Sequence, residues 1–316
     1  MQKRSLGRTG LDIAPLVFGG NVFGWTADEK TSFALLDAFV GAGFNAIDTA
    51  DVYSRWVPGN SGGESETIIG KWLKQSGVAR DSVVLITKVG SDMGQGHRDL
   101  SKTWIAEAVE ASLKRLQTDH IDLYLSHWPD ERTPYEETLE AHAALVKAGK
   151  VRAFGASNLD AAQLQASFDA AEAAGLPRYA ALQPEYNLYD RSGFEGQLAE
   201  LCLRENIGVI TYFSLASGFL SGKYRSPADT KAAARGEGVA HYLDDKGMRI
   251  LAALDKVSAE AGAKPAEVAL AWLMAKPAVT APIASATSLT QIESLINSAS
   301  LRLTPGQIAA LDAAGV

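Results

Sequence analysis

A (β/α)8 barrel, the TIM-barrel class, is the fold this sequence predicts, and three observations predict it. Eight short β-rich apolar runs alternate with longer Ala-, Leu- and Glu-rich segments of helical period. Several runs, such as "SVVLITKV", are apolar at consecutive positions, as parallel strands buried on both faces should be. The alternation fills 316 residues, a length that suits eight strand–helix units. A doubly wound sheet is the competing architecture, and it usually carries a glycine-rich turn after its first strand. "FGGNVFG" follows the first run here, but its glycines do not keep the GxGxxG spacing.

In chain order, "KRSLGRTGLDIAPL" offers two short strands around a Gly-containing turn, an N-terminal β-hairpin placed to plug the lower end of the barrel. The eight barrel strands are then "PLVFGG", "FNAIDTA", "SVVLITKV", "HIDLYLSHW", "VRAFGASN", "AALQPEY", "IGVITYF" and "VTAPIAS". Helical candidates between them include residues 31–42, 64–75, 103–116, 134–147, 161–174 and 196–205. After strand 7, residues 213–245 form a long Gly-rich, polar stretch without clear period, which has the character of a lid or binding loop. Within it "SGFLSGKY" has an outline of a P-loop, yet it is one residue short and has Tyr224 where Ser or Thr should hold magnesium. No linker or internal repeat interrupts the chain, so residues 1–316 read as a single domain.

Composition narrows the function classes. The chain is 47% hydrophobic and 21% charged, an ordinary globular balance. A formal net charge of −7 argues against nucleic acid or an anionic membrane as the main partner. No apolar run approaches the roughly 18 residues that a membrane span needs, and the basic N-terminus lacks the apolar region of a secretory signal. The single cysteine, Cys202, excludes an internal disulfide and a multi-cysteine metal site, and its helical surroundings mark it as core. No metal site is expected, and the cytoplasm is the default compartment.

In a barrel of this class the C-terminal strand ends share one rim, where active sites sit. Asp48 ends the second strand, Lys88 the third and His127 the fourth, and Tyr53 opens the loop after Asp48. Taken singly, each has a bland reading. Asp48 and Asp51 can be turn or capping acids, Lys88 can snorkel at a strand end, and His127 can be a satisfied core histidine. Their convergence on one rim is what argues for chemistry. A tyrosine hydroxyl is a poor acid near neutral pH. A neighbouring ammonium is expected to lower its pKa, and Asp48 can hold that ammonium. The set suits protonating an oxygen as negative charge builds on it, as happens when hydride attacks a carbonyl. Asp51 is assigned only to shaping the turn.

These residues lie in motifs that resemble the aldo-keto reductases, NAD(P)H-dependent (β/α)8 barrels. "SLGRTGLDIAPLVFGG", "GFNAIDTADVYS" with "GGESETIIGKWL", "ASLKRLQTDHIDLYLSHWPD", "GKVRAFGASNL", "LQPEYNLYDR" and "ITYFSLASGFLSGKY" carry the likeness over nearly the whole chain. The resemblance implies a catalytic tetrad of Asp48, Tyr53, Lys88 and His127, with Tyr53 as general acid and His127 orienting the carbonyl. It implies that Ser157, Asn158 and Gln183 hold a nicotinamide carboxamide, with Tyr212 stacked on the ring. Around Ser214, Leu215 and Ser217, with Lys223, it implies a pyrophosphate site. The proline that relatives place between the serine and leucine is missing here.

Ser285, Thr287 and Gln291 match the adenosine end. The family makes NADP(H) the first choice of cofactor. NAD(H) use stays open, because Thr287 and Ser288 stand where relatives often place a basic partner for the 2′-phosphate. Trp25, Trp56 and Trp128 are expected to wall the substrate pocket, the substrate being a small carbonyl compound or alcohol. A cofactor-binding regulatory subunit, as in channel-associated relatives, is the alternative to an enzyme.

Overall fold

The computed structural model describes residues 2–230 and 238–316. A short antiparallel hairpin, β1 (Arg4–Ser5) and β2 (Asp12–Ile13), precedes the barrel. The barrel strands are β3 (Val17–Gly19), β4 (Ala46–Asp48), β5 (Val84–Val89), β6 (Ile121–Ser126), β7 (Val151–Ser157), β8 (Ala181–Gln183), β9 (Gly208–Thr211) and β10 (Ala281–Ala284). They pair in parallel in sequence order, and β10 closes back onto β3. All eight coincide with the predicted runs.

Helices α1 (Glu29–Gly41), α2 (Glu64–Gln75), α3 (Lys102–Leu116), α4 (Tyr135–Lys147), α5 (Ala161–Ala174) and α6 (Gln197–Arg204) follow β3 to β8 in turn. After β9 come the short α7 (Pro227–Thr230), then α8 (Asp245–Ala261) and α9 (Pro265–Met274); α10 (Leu289–Ser300) and α11 (Pro305–Ala314) follow β10. Capping residues explain several starts. The side chains of Asp28, Ser101 and Asp160 each accept a backbone N–H from the first turn of their helices, and Asp160 completes a capping box with Gln163.

Strand periodicity divides the core in two. Val84 and Ile86, Leu123 and Leu125, and Ala281 and Ile283 point into the barrel with Val17, Ala46, Ala153, Ala181 and Ile210. Their alternate neighbours, such as Leu85 and Tyr124, pack outward against the helices. All six positions of β5 are buried, as are all six of β6, because both faces are covered. The hairpin adds Leu6, Leu11 and Ile13 to the interior cluster and thereby plugs one end, as the sequence predicts. Its approach is close: a Cβ on Gly208 would lie 2.6 Å from the Leu6 carbonyl carbon.

The segment after β9 differs from its polar, aperiodic reading. It contains 3-10 turns at Ala216–Ser221 and Ala240–Tyr242, and it buries Phe219, Leu220, Tyr224, Val239 and Tyr242. Left-handed backbone at Phe213, Ala216, Ser217 and Gly218 breaks any helical period there. Residues 231–237 of this loop lie outside the described residues.

Candidate active site

Period-two alternation carries the interior face of each strand up to the rim. From Ala46 it leads to Asp48, from Ile86 to Lys88, from Leu125 to His127, and from Ala181 to Gln183. The same step leads from Ile210 to Tyr212 and from Ile283 to Ser285. Of these, Asp48, His127, Gln183, Tyr212 and Ser285 line one cavity of about 1640 Å³, larger than the usual drug-sized pocket of about 300–1,000 Å³.

At its floor Lys88 is fully buried. Its ammonium donates to Asp48 Oδ2 (2.8 Å), the Thr49 carbonyl (2.7 Å) and the Tyr53 hydroxyl (2.8 Å). Three donors therefore meet three acceptors, which is how a buried ammonium is tolerated. Tyr53 in turn lies 3.4 Å from Asp48 Oδ2. The second Asp48 oxygen accepts from Gln183 Nε2 at 2.8 Å, so Gln183 buttresses the tetrad, a role the sequence reading did not assign. The Thr49 carbonyl was also missed, since backbone acceptors leave no mark in residue type.

The expected direction of the Tyr53 pKa is corrected. Burial, followed by the Asp48 carboxylate, pushes the phenol well above its ordinary value, while burial draws Lys88 below its own against the pull of Asp48. Desolvation, which a linear sequence does not display, outweighs the neighbouring ammonium. Tyr53 is thus a protonated donor.

His127 lies across the cavity, its ring 6.1 Å from that of Tyr53. Its Nδ1 meets the Ser91 hydroxyl at 3.0 Å. Burial, then the charges of Lys88 and Arg98, hold the imidazole well below its ordinary pKa, so it is neutral. If Ser91 donates to Nδ1, the Nε2 nitrogen carries the proton and can donate into the cavity. Ser91 was missed as well, although it stands just beyond the end of β5.

Asp51 lies in the turn after β4, and neither of its buried carboxyl oxygens accepts a hydrogen bond of normal geometry. Burial and the nearby Glu66 carboxylate push it up to about 8, with Arg115, the Val52 backbone N–H and Lys88 opposing.

The remaining positions gather along the cavity. Ser157 donates to the Gln183 carbonyl (2.7 Å), and Asn158 donates to the His127 carbonyl (2.8 Å) and accepts from Tyr212 (2.6 Å). Ser214 is turned inward and donates to the Thr211 carbonyl at 3.0 Å. Leu215 and Ser217 line the cavity, and Lys223 reaches Gly218, where an added Cβ would lie 3.6 Å from the ammonium. Ser285 donates to Asn21 Oδ1 (2.6 Å), and the Gln291 side chain accepts the Thr287 amide (2.8 Å). Lys264, before α9, lines the same cavity as Ser294, a cation absent from the sequence reading. Of the three tryptophans, Trp56 and Trp128 line the cavity, whereas Trp25 stands edge-on against Trp56 at 5.7 Å.

A closed parallel barrel with an Asp–Lys–Tyr–His rim defines the class of protein. The Aldo/keto reductase family model matches residues 15–315, and the chain belongs to that family. Similar proteins include the uncharacterized oxidoreductase YrpG of Bacillus subtilis (strain 168), 38% identical over 96% of this chain and 92% of that protein. Protein tas of Escherichia coli (strain K12) is 31% identical over 99% of this chain and 97% of its own length. A probable voltage-gated potassium channel subunit beta of Oryza sativa subsp. japonica is 35% identical over 92% of this chain and 89% of its own. Membership supports oxidoreductase chemistry. Among the described residues no helix is long and apolar enough to cross a membrane.

Proposed function

We propose that this chain is a carbonyl reductase that uses NADP(H), working reversibly between aldehydes or ketones and alcohols. The observation that carries the reading is the Lys88 ammonium held between Asp48 and Tyr53 at 2.8 Å from each. The residues present fit a nicotinamide dinucleotide. The amide and hydroxyl groups of Ser157, Asn158 and Gln183 lie together beside the tetrad. Left-handed backbone at Ala216, Ser217 and Gly218, with Lys223 alongside, suits a pyrophosphate. Lys264, which lines the same cavity as Thr287 and Gln291, is the cation that favours NADP(H) over NAD(H).

When bound, the reduced nicotinamide supplies hydride to the carbonyl carbon. Tyr53 gives its proton to the carbonyl oxygen as negative charge builds there, and the phenolate left behind is stabilised by Lys88. Asp48, fixed by Gln183, keeps Lys88 in place. Neutral His127 donates to the same oxygen and aligns it. Trp56 and Trp128 offer the substrate apolar surface.

The experiment compares binding of NADPH and NADH by fluorescence and turnover of an aldehyde panel in wild type and Tyr53→Phe. Loss of a proton donor is expected to lower kcat by about 10²–10⁴-fold with nucleotide affinity retained. Equal turnover in the variant sinks the acid assignment, and tighter NADH binding overturns the cofactor choice. A second reading is favoured by the rice relative named as a channel subunit. Tight nucleotide binding without turnover of any carbonyl would select that regulatory role.

A further inference from the structure

Arg98, in the segment joining β5 to α3, lines the cavity on its Trp128 side. Its guanidinium carbon stands 4.6 Å from the centre of the Trp128 ring. That ring lies nearly parallel to the His127 imidazole, with centroids 5.5 Å apart and planes 15° from one another. Trp128 thus touches both the Arg98 guanidinium and the imidazole that aligns the reacting oxygen. The Arg98 charge also reaches the site, since it is one cause of the depressed His127 pKa.

Nothing among the described residues engages the N–H groups of Arg98 in a hydrogen bond or ion pair. Other arginines nearby are engaged: Arg55 with Asp92 at the same rim, and Arg115 with Glu66 behind it. Asp99, next to Arg98 in the chain, and Asp130, which binds the Leu100 amide, are also occupied. Asp99 faces His97 at 3.8 Å and accepts the Ser101 amide, and Asp130 accepts from Leu100, Arg132 and Thr133. A guanidinium lying over an aromatic ring keeps its N–H edges in its own plane, the geometry that receives a carboxylate through two parallel hydrogen bonds. A lysine in this place would offer a point charge without that fork.

We infer that Arg98 is an anion subsite of the substrate pocket, and that the preferred substrates are carbonyl compounds bearing a carboxylate remote from the carbonyl. The inference rests on the carbonyl-reductase reading above. Arg98 stands against Trp128, and Trp128 in turn against His127, so two successive ring contacts connect the guanidinium with the reacting oxygen. A 2-oxo acid, whose carboxylate adjoins its carbonyl, does not bridge them. A flat spacer does, and the half-exposed Trp56 offers it apolar surface.

The test uses 4-formylbenzoate and its methyl ester with wild type, Arg98→Met and Arg98→Lys. In wild type kcat/KM for the acid should exceed that for the ester about tenfold, through KM, a difference equivalent to about 1.4 kcal/mol. The preference should shrink as ionic strength rises. In Arg98→Met the ratio should fall to about one, and Arg98→Lys should restore part of it. Equal use of acid and ester by wild type, or an unchanged ratio in Arg98→Met, overturns the inference. If neither aldehyde is turned over, the reductase reading fails by itself, and the subsite is read by terephthalate quenching of tryptophan fluorescence. Binding about tenfold weaker in Arg98→Met then supports the subsite, and equal binding overturns it.

Discussion

At the lower end of the barrel, Leu6, Leu11 and Ile13 of the hairpin cover the interior side chains Val84, Ala153 and Ala281 with apolar surface. Four residues further along β5, the same face carries the ammonium of Lys88, tied to Asp48, Thr49 and Tyr53. Both ends exclude water. One does so by burying hydrocarbon, which is favourable in itself. The other buries charge, which is tolerable only when every donor and acceptor is met. The lower end therefore contributes stability. The upper end holds an arrangement that costs stability and is useful for chemistry.

Substitutions at the two ends should separate these roles. The largest effect is expected from Lys88→Met, which strands the buried Asp48 carboxylate. Turnover should fall by at least about 10²-fold, and denaturant titration should show a loss of about 3–5 kcal/mol. Retained turnover would show that Tyr53 does not depend on the ammonium. Next comes Leu6→Ala at the opposite end, expected to cost about 2–5 kcal/mol by cavity formation. There kcat should be unchanged in the protein that remains folded; a parallel fall in kcat would mean that the hairpin supports the rim directly.

An effect on stability alone, and one that depends on pH, is expected from Asp51→Asn. The folded protein keeps the Asp51 proton up to about pH 8, whereas a carboxyl at its ordinary 3.8 has already lost it. Between those values this group makes stability fall with rising pH, by about 1.4 kcal/mol per unit, and above about pH 8 the penalty is constant. Asparagine removes that slope. Unfolding free energies at pH 5, 7 and 9 should therefore shift progressively in favour of the variant, and a difference independent of pH would show that Asp51 is ionised throughout.

Much of the fold was legible. Helices α2 and α5 end where the periodicity places them, and each strand core lies within its predicted run. The four tetrad residues were placed on one rim by topology. The loop after β9 was less legible, because its buried side chains ride on left-handed and 3-10 backbone that has no single period. Lys264 and Arg98 escaped for another reason. Each is an ordinary charged residue in sequence, and only its place on the cavity wall distinguishes it.

The sequence by itself determined which strands form and which of their residues face inward, since a strand's side chains alternate whatever their neighbours are. It thereby determined that Asp48, Lys88 and His127 meet. Tertiary structure alone decided what the meeting does to them: Gln183 fixing Asp48, Tyr53 held protonated, the Asp51 carboxyl buried without a hydrogen bond of normal geometry. Those outcomes depend on how much water the packed chain removes and which dipoles replace it, and neither quantity is carried by residue order.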